Sequence, residues 1–349
     1  MVDTLAMALG LHPAAPEFWM PLAFMGLLCL VVLAAMVLDG FDIGVGCLSV
    51  FAPQSLRPRM LSLLSPWRDA NEFWLFLGLG LFMAAFPLAW GRVMGELYLP
   101  LTLMAVGTLL RTFGYELRVR APREMQSYFG RLFGMGALLT ALSHGLLLAQ
   151  VVMLSQADTV QLGFSLFTAV CAVAAYCLLG ASWLIMREGG ELRARAIFWG
   201  RRCVRWAAAG AVGVSVVLAL GNPGIFLKWS SGLTRALAAC LWVGMLVAFV
   251  CIEMCLQRMI NTSIRSTALP FLMTLLVFGL TFAGLTYSFF PYLVLDELTI
   301  WDAAAAPESL ELVLVMAAVA LPIALAFNAR VYRGMFGLSV PPEPPEFGR

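Results

Sequence analysis

Long apolar stretches separated by short polar segments run along almost the whole chain. Nine of them qualify as candidate membrane spans, at about 18–48, 72–94, 97–117, 132–155, 160–186, 203–221, 234–257, 268–292 and 310–330. Roughly 20 apolar residues cross a bilayer as a helix. The apolar positions are continuous and do not alternate, which predicts helices rather than a barrel. The expected fold is therefore an all-α polytopic membrane protein, one integral membrane domain over residues 1–349. The sixth stretch is rich in Ala, Gly and Val. The connections are too short for a soluble domain. Residues 331–349 form an expected cytoplasmic tail, ending in the Pro-rich 340-VPPEPPEFGR-349, whose composition predicts an extended segment.

Composition agrees with the pattern: 62% of residues are hydrophobic and 12% charged, with a mean hydropathy of +0.90. Such a chain has too little polar surface to close around a soluble core. The net charge of +2 gives no reason to expect nucleic acid as a partner. The basic residues add an orientation. Arginines gather in the first, third, fifth and seventh loops and at the C-terminal end, whereas the eighth loop carries Asp296, Glu297, Asp302 and Glu308. Basic loops stay in the cytoplasm. The alternation supports nine spans, with the N-terminus outside and the C-terminus inside. Residues 1–17 lack Lys and Arg, so no cleavable signal peptide is expected.

Six acids lie in or at the lip of these spans: Asp39, Asp42, Asp69, Glu72, Glu116 and Glu253. An ionisable group near the bilayer centre costs about 2.5–3.5 kcal/mol on insertion scales, so such groups face protein or water. In 36-MVLDGFDIGVG-46, Asp39 and Asp42 are three residues apart and share a helix face. Protonating one carboxyl or pairing it with Arg would relieve their repulsion. Gly40 and Gly44 have the spacing that lets another helix approach closely. The pattern fits proton-exchanging groups and equally fits two carboxylates bound to nearby arginines. In 66-PWRDANEFWLFLGLGLFMAAFP-87, Asp69 is placed to cap the second span, and Glu72 lies one turn further in. In 111-RTFGYELRVR-120, Glu116 either pairs with an arginine or titrates.

The remaining chemistry is sparse. Of the two histidines, only His144 lies within a span. It reads more readily as a packing residue than as a haem ligand, and bis-histidine ligation of two haems would need four. The eight cysteines lie in or beside apolar segments and no two form a CxxC, so they read as apolar side chains rather than as a metal or disulfide framework. Neither a Walker loop, an HExxH, a nucleophile elbow nor a dinucleotide fingerprint is present. The residues alone leave a transporter and a subunit of a proton-using complex both open.

The order LDGFDIGVG (38–46), WRDANEFW (67–74) followed by FMAAFP (82–87), then RTFGYELR (111–118) resembles subunit II of the bacterial cytochrome bd quinol oxidases, including the cyanide-insensitive branch. The motifs cover about a quarter of the chain. Two positions depart from the family pattern: Arg68 is inserted between Trp67 and Asp69, and Ala70 replaces the usual Gly. The resemblance implies two four-helix bundles plus one peripheral helix, without a complete active site in this chain alone. It implies a partner, subunit I, which carries haems b and d and the quinol site. The complex would oxidise quinol, reduce dioxygen to water, and draw protons from the cytoplasmic side of a bacterial inner membrane. A small accessory subunit and a structural quinone or lipid are further expectations. Within that reading Asp69 and Glu72 stand near a proton entrance, and Asp39, Asp42 and Glu116 relay protons onward. The alternatives are a proton-coupled secondary transporter, which would call for an inverted repeat and broken helices, and a purely structural subunit whose acids only pair with arginines.

Overall fold

The computed structural model of the chain describes residues 6–7, 9–64, 68–153, 159–261 and 268–337. The expected extended tail at 340–349 lies outside them. The helices in chain order are α1 (Pro16–Phe51), α2 (Arg57–Ser62), α3 (Arg68–Ala85), α4 (Pro87–Glu96), α5 (Tyr98–Arg120), α6 (Arg123–Val152), α7 (Thr159–Arg187), α8 (Gly190–Gly221), α9 (Pro223–Ser230), α10 (Gly232–Asn261) and α11 (Leu269–Phe289). A two-stranded antiparallel ribbon, β1 (Tyr292–Val294) and β2 (Leu298–Thr299), follows. The chain then turns through α12 (Ile300–Ala303) into α13 (Pro307–Gly337).

Helix starts follow local chemistry. Proline opens α1, α4 and α9, where its missing N–H costs nothing and its φ is already helical. Asn222 caps α9 by accepting from the Ile225 N–H at 2.9 Å, and Thr299 and Asp302 form a capping box at α12. Across the short ribbon end, Arg92 donates to both carboxylate oxygens of Glu297 at 2.9 and 3.0 Å. Those hydrogen bonds hold the Glu297 carboxyl below the usual carboxylate range.

Seven helices are long and apolar enough to cross a membrane, among the described residues: α1, α6, α7, α8, α10, α11 and α13. The second of the nine expected spans is broken. Residues 72–94 do not form one helix, because α3 and α4 meet at 118°. Pro87 is the cause: it has no N–H to continue the ladder and its ring clashes with the preceding turn. Phe86 takes up the bend at φ −133°, ψ 62°. The carbonyl of Ala85 freed there accepts instead from the Ala305 N–H at 2.9 Å. Counted as one broken span, α3 and α4 raise the number to eight. The third expected span corresponds to α5, whose Arg111, Glu116 and Pro100 keep it below the hydropathy of the others.

The packing has α7 at its centre and α13 at its edge: 56% of the α7 span is buried against 17% of α13. Two main apolar clusters share α1. Its C-terminal half packs with α6, α7, α8, α10 and α11, and its N-terminal half with α3, α4, the ribbon and α13. The outward faces stay apolar, with Leu30, Phe76, Leu220 and Val315 exposed, as lipid contact requires. Cys47, Cys171 and Cys177 are buried, as expected, but Cys240 is exposed and the other four are half-buried; all eight are free thiols.

Close approach of α1 and α7 depends on two glycines. A Cβ on Gly44 would collide with the backbone carbonyl of Tyr176, and one on Gly180 with the backbone of Gly44 and Val45. Neither obstacle is a flexible side chain, so the helices must separate to admit a larger residue. Gly44→Val is expected to abolish the monodisperse folded species in fluorescence-detected size-exclusion chromatography. Gly26→Val on the same helix, where nothing lies within 4 Å, should leave the profile unchanged. Equal behaviour of the two variants would refute the seam.

Candidate functional site

The polar residues of α1, α3, α5 and α13 meet in one cluster. Small residues position it. A Cβ on Gly136 of α6 would strike the backbone of Arg111, and one on Gly107 would lie 2.6 Å from the Thr140 hydroxyl. The α5 helix therefore presses onto α6, and the Arg111 side chain leaves from its other face toward α1 and α3. Asp39 and Asp42 sit in a fully buried run of α1 that extends from Asp39 to Ser49.

Arg111 is the centre. It is wholly buried and grips Asp39 through two hydrogen bonds, Nη1 to Oδ1 at 2.6 Å and Nη2 to Oδ2 at 2.8 Å. The same Nη2 lies 3.2 Å from Oε1 of Glu72. Glu72 also receives Arg68 Nη1 at 3.1 Å and the Thr112 hydroxyl at 3.2 and 3.3 Å. Arg68 continues outward, its Nη2 donating to Glu116 at 2.9 Å, with its guanidinium 4.6 Å above the Tyr115 ring. Arg120 donates to the other oxygen of Glu116 at 3.2 Å. Side-chain exposure rises along this line, from 0% at Arg111 and 3% at Arg68 to 38% at Glu116 and 77% at Arg120. An ordered polar line therefore joins the surface to the interior of the helix bundle.

Asp42 belongs to a second arm. It is wholly buried and accepts from Asn71 Nδ2 at 2.8 Å, while Asn71 Oδ1 accepts from the Tyr332 hydroxyl of α13 at 2.8 Å. The other carboxylate oxygen of Asp42 has no hydrogen-bond partner, and no salt bridge reaches Asp42 among the described residues. The two aspartates that share a face in the sequence are thus resolved differently: Asp39 by an arginine, Asp42 by an amide.

Each residue expected from the sequence has a place. Asp39, Asp42, Glu72 and Glu116 come together. Asp69 falls in the first turn of α3, which begins at Arg68, and its side chain lies outside the described residues, as does Trp67. Glu72 was expected at the outer end of the path. At 11% side-chain exposure it is deeper than Glu116 at 38%, so the order is corrected, because α5 carries Glu116 a full turn further toward its exposed end. Glu253 is remote from the cluster and pairs with Arg205 and Arg201 of α8 at 3.0 and 3.5 Å. His144 packs its ring 5.4 Å from that of Tyr176.

Sequence reasoning missed Asn71, Thr112 and Tyr332. Asn71 lies inside the quoted WRDANEFW run and Thr112 follows Arg111, so both were within reach. Nothing around Tyr332 in the chain marks it, since its role follows from α13 returning against α3. A separate apolar cavity of about 410 Å³ opens between α1, α6, α7, α8 and α11, with Met25, Met36, His144 and Tyr176 on its walls.

The family described as cytochrome bd terminal oxidase subunit II matches residues 20–335. The chain is 26% identical to the probable cytochrome oxidase subunit 2 of Haemophilus influenzae, and 24% identical to the cytochrome bd-I ubiquinol oxidase subunit 2 of Escherichia coli K12. Each match covers 86% of this chain and 90% of the relative. Among solved structures, the bd oxidase of Geobacillus thermodenitrificans has a chain superposing with a TM-score of 0.73 at 16% identity, over 91% of this chain and 99% of that one, a likeness of fold.

Proposed function

Because the chain belongs to the cytochrome bd terminal oxidase subunit II family, we propose that it is the haem-free subunit II of a bacterial quinol:dioxygen oxidoreductase, seated against a haem-bearing subunit I, and that its buried carboxyls carry protons toward the oxygen-reducing site. The family match displaces the transporter reading. The observation that supports proton conduction is the polar line from exposed Glu116 through Glu72 to Asp39, with Asp42 beside it. Haems b and d and the quinol site belong, in this reading, to the partner, which supplies the electron transfer and oxygen chemistry. The helices form two four-helix bundles, with α13 at the periphery.

The roles within the line follow from what each group can do. A guanidinium keeps its proton, so Arg68 and Arg111 do not relay. They hold the carboxyls in position and compensate their charge inside the bilayer. The carriers are carboxyls and hydroxyls: Glu116 at the mouth, Glu72 with the Thr112 hydroxyl behind it, then Asp39 and Asp42; Asp69 keeps the entrance role expected of it from the sequence alone. Asp42 has an amide for a partner and no arginine, which makes it the least encumbered carrier. The apolar cavity beside His144 and Tyr176 has the lining to hold the tail of a structural quinone or lipid.

A second reading draws on the same contacts. Asp39, Glu72 and Glu116 all pair with arginine, as they would in a subunit whose acids only hold helices together. The decisive experiment is purification of the chain from its native membrane in mild detergent, with a reduced-minus-oxidised spectrum and a quinol-driven oxygen-uptake assay. A polytopic haem protein at equal stoichiometry, with quinol-driven oxygen uptake, is the expected result. A chain that purifies alone and without haem would overturn the assignment.

A further inference from the structure

Helix α8 is 32 residues long, about 48 Å at 1.5 Å per residue, well beyond the roughly 30 Å of bilayer hydrocarbon. Measured back from its apolar end at Gly221, Arg202 lies about 28 Å along the axis. Arg201, Arg202 and Arg205 thus stand where hydrocarbon gives way to headgroups. Trp199 and Trp206 flank them at the same level, and Trp206 is exposed, the usual position of an interfacial aromatic.

Two of these three arginines face one acid. Arg205 and Arg201 both lie against Oε1 of Glu253, at 3.0 and 3.5 Å, and Arg202 stacks over the Phe198 ring at 4.4 Å. Glu253 is the sole acid on α10. One carboxylate offsets one of the three arginines, so the cluster keeps a net positive charge among the described residues. Arg205 is 67% exposed at its side chain, turned outward rather than into the protein. Below the arginines the outer faces of α8 and α10 continue as apolar surface, with Val212 and Val216 on one and Val250 and Val247 on the other. A cationic, headgroup-level cluster above a two-helix apolar face matches an amphiphile with an anionic head.

We propose that Arg201, Arg202 and Arg205 bind the phosphate of an anionic membrane phospholipid, whose acyl chains lie along α8 and α10. The site is distinct from the carboxyl line of α1, α3 and α5, and it does not depend on proton conduction. Glu253 competes with the phosphate for Arg201 and Arg205, while orienting both.

The test is native mass spectrometry of the purified, partner-bearing complex after delipidation, with phosphatidylglycerol and phosphatidylcholine of different mass added at equal concentration. The wild-type complex should retain the anionic phosphatidylglycerol over the zwitterionic phosphatidylcholine. Arg202→Gln/Arg205→Gln should lower that retention about 25-fold, at roughly fivefold per arginine. Arg195→Gln, whose arginine already pairs with Glu191, should not. Glu253→Gln removes the competing carboxylate and should leave retention equal or higher. If the double variant fails to assemble, Arg202→Gln alone, which breaks no ion pair of Glu253, decides with an expected loss of about fivefold. Equal retention of the two lipids by the wild type, or retention unchanged by the arginine variants, would overturn the site.

Discussion

Arg111→Gln should cost the folded chain about 3–5 kcal/mol, the range for removing one partner of a buried ion pair. The side chain is wholly buried and shared between Asp39 and Glu72. Its loss leaves both carboxylates in a low-dielectric interior with the wrong compensation. Asp39 suffers more, because it loses two charge-assisted hydrogen bonds, whereas Glu72 keeps Arg68 and Thr112. The measurement is thermal melting and yield of the detergent-solubilised complex, where the variant should be recovered poorly or not at all. A second variant separates charge from shape. Adding Asp39→Asn to Arg111→Gln removes the carboxylate left buried without its partner, which is the larger part of the cost of breaking the pair, and leaves two amides that can hydrogen-bond each other. The double variant should therefore regain much of the yield. A single variant as stable as wild type would show that the pair contributes nothing to the fold.

That the pair exists was only half legible in the chain. Asp39, Asp42, Glu72 and Glu116 stood out because charge is rare in an apolar sequence and its placement within spans is costly. Arg111 was visible for the same reason. The pairing was not, since it depends on α5 being pressed against α6 at Gly107 and Gly136, and a list of spans carries no lateral order. The close seam at Gly44 was legible from spacing, but its partner, Gly180 on α7, was not. The bend at Pro87 was missed for a different reason. Hydropathy continues through 72–94 without interruption, so a window average passes over the single proline that breaks the backbone. The ribbon at 292–299 was hidden for another reason: apart from Tyr292 it lies beyond the expected span, in what reads as an acidic loop. Tyr332 shows the limit of local reasoning: a tyrosine near the end of the last helix becomes part of the site only because α13 folds back on α3.

Asp42→Asn is expected to slow quinol-driven oxygen reduction by about tenfold or more, short of the full loss of about 10²–10⁴ when a positioned proton-transfer group is removed, because other carboxyls of the line remain. The substitution is nearly isosteric, and the Asn71 amide can turn to donate or accept, so the contact to α1 and the further bond to Tyr332 survive. No arginine loses a partner, because none is bound to Asp42 among the described residues. Assembly and the haem spectrum of the partner should therefore be unchanged, and turnover alone should fall. Asp39→Asn is the informative contrast: it breaks the grip of Arg111 and should lower stability and turnover together. A variant at Asp42 with wild-type turnover would remove it from the proton path and shift the weight to the structural reading. A variant that loses haem along with activity would assign the residue to packing. The two carboxyls stand three residues apart in the chain, yet one is built into a charge pair and the other is left to an amide, so protonating Asp42 disturbs the cluster less than protonating Asp39.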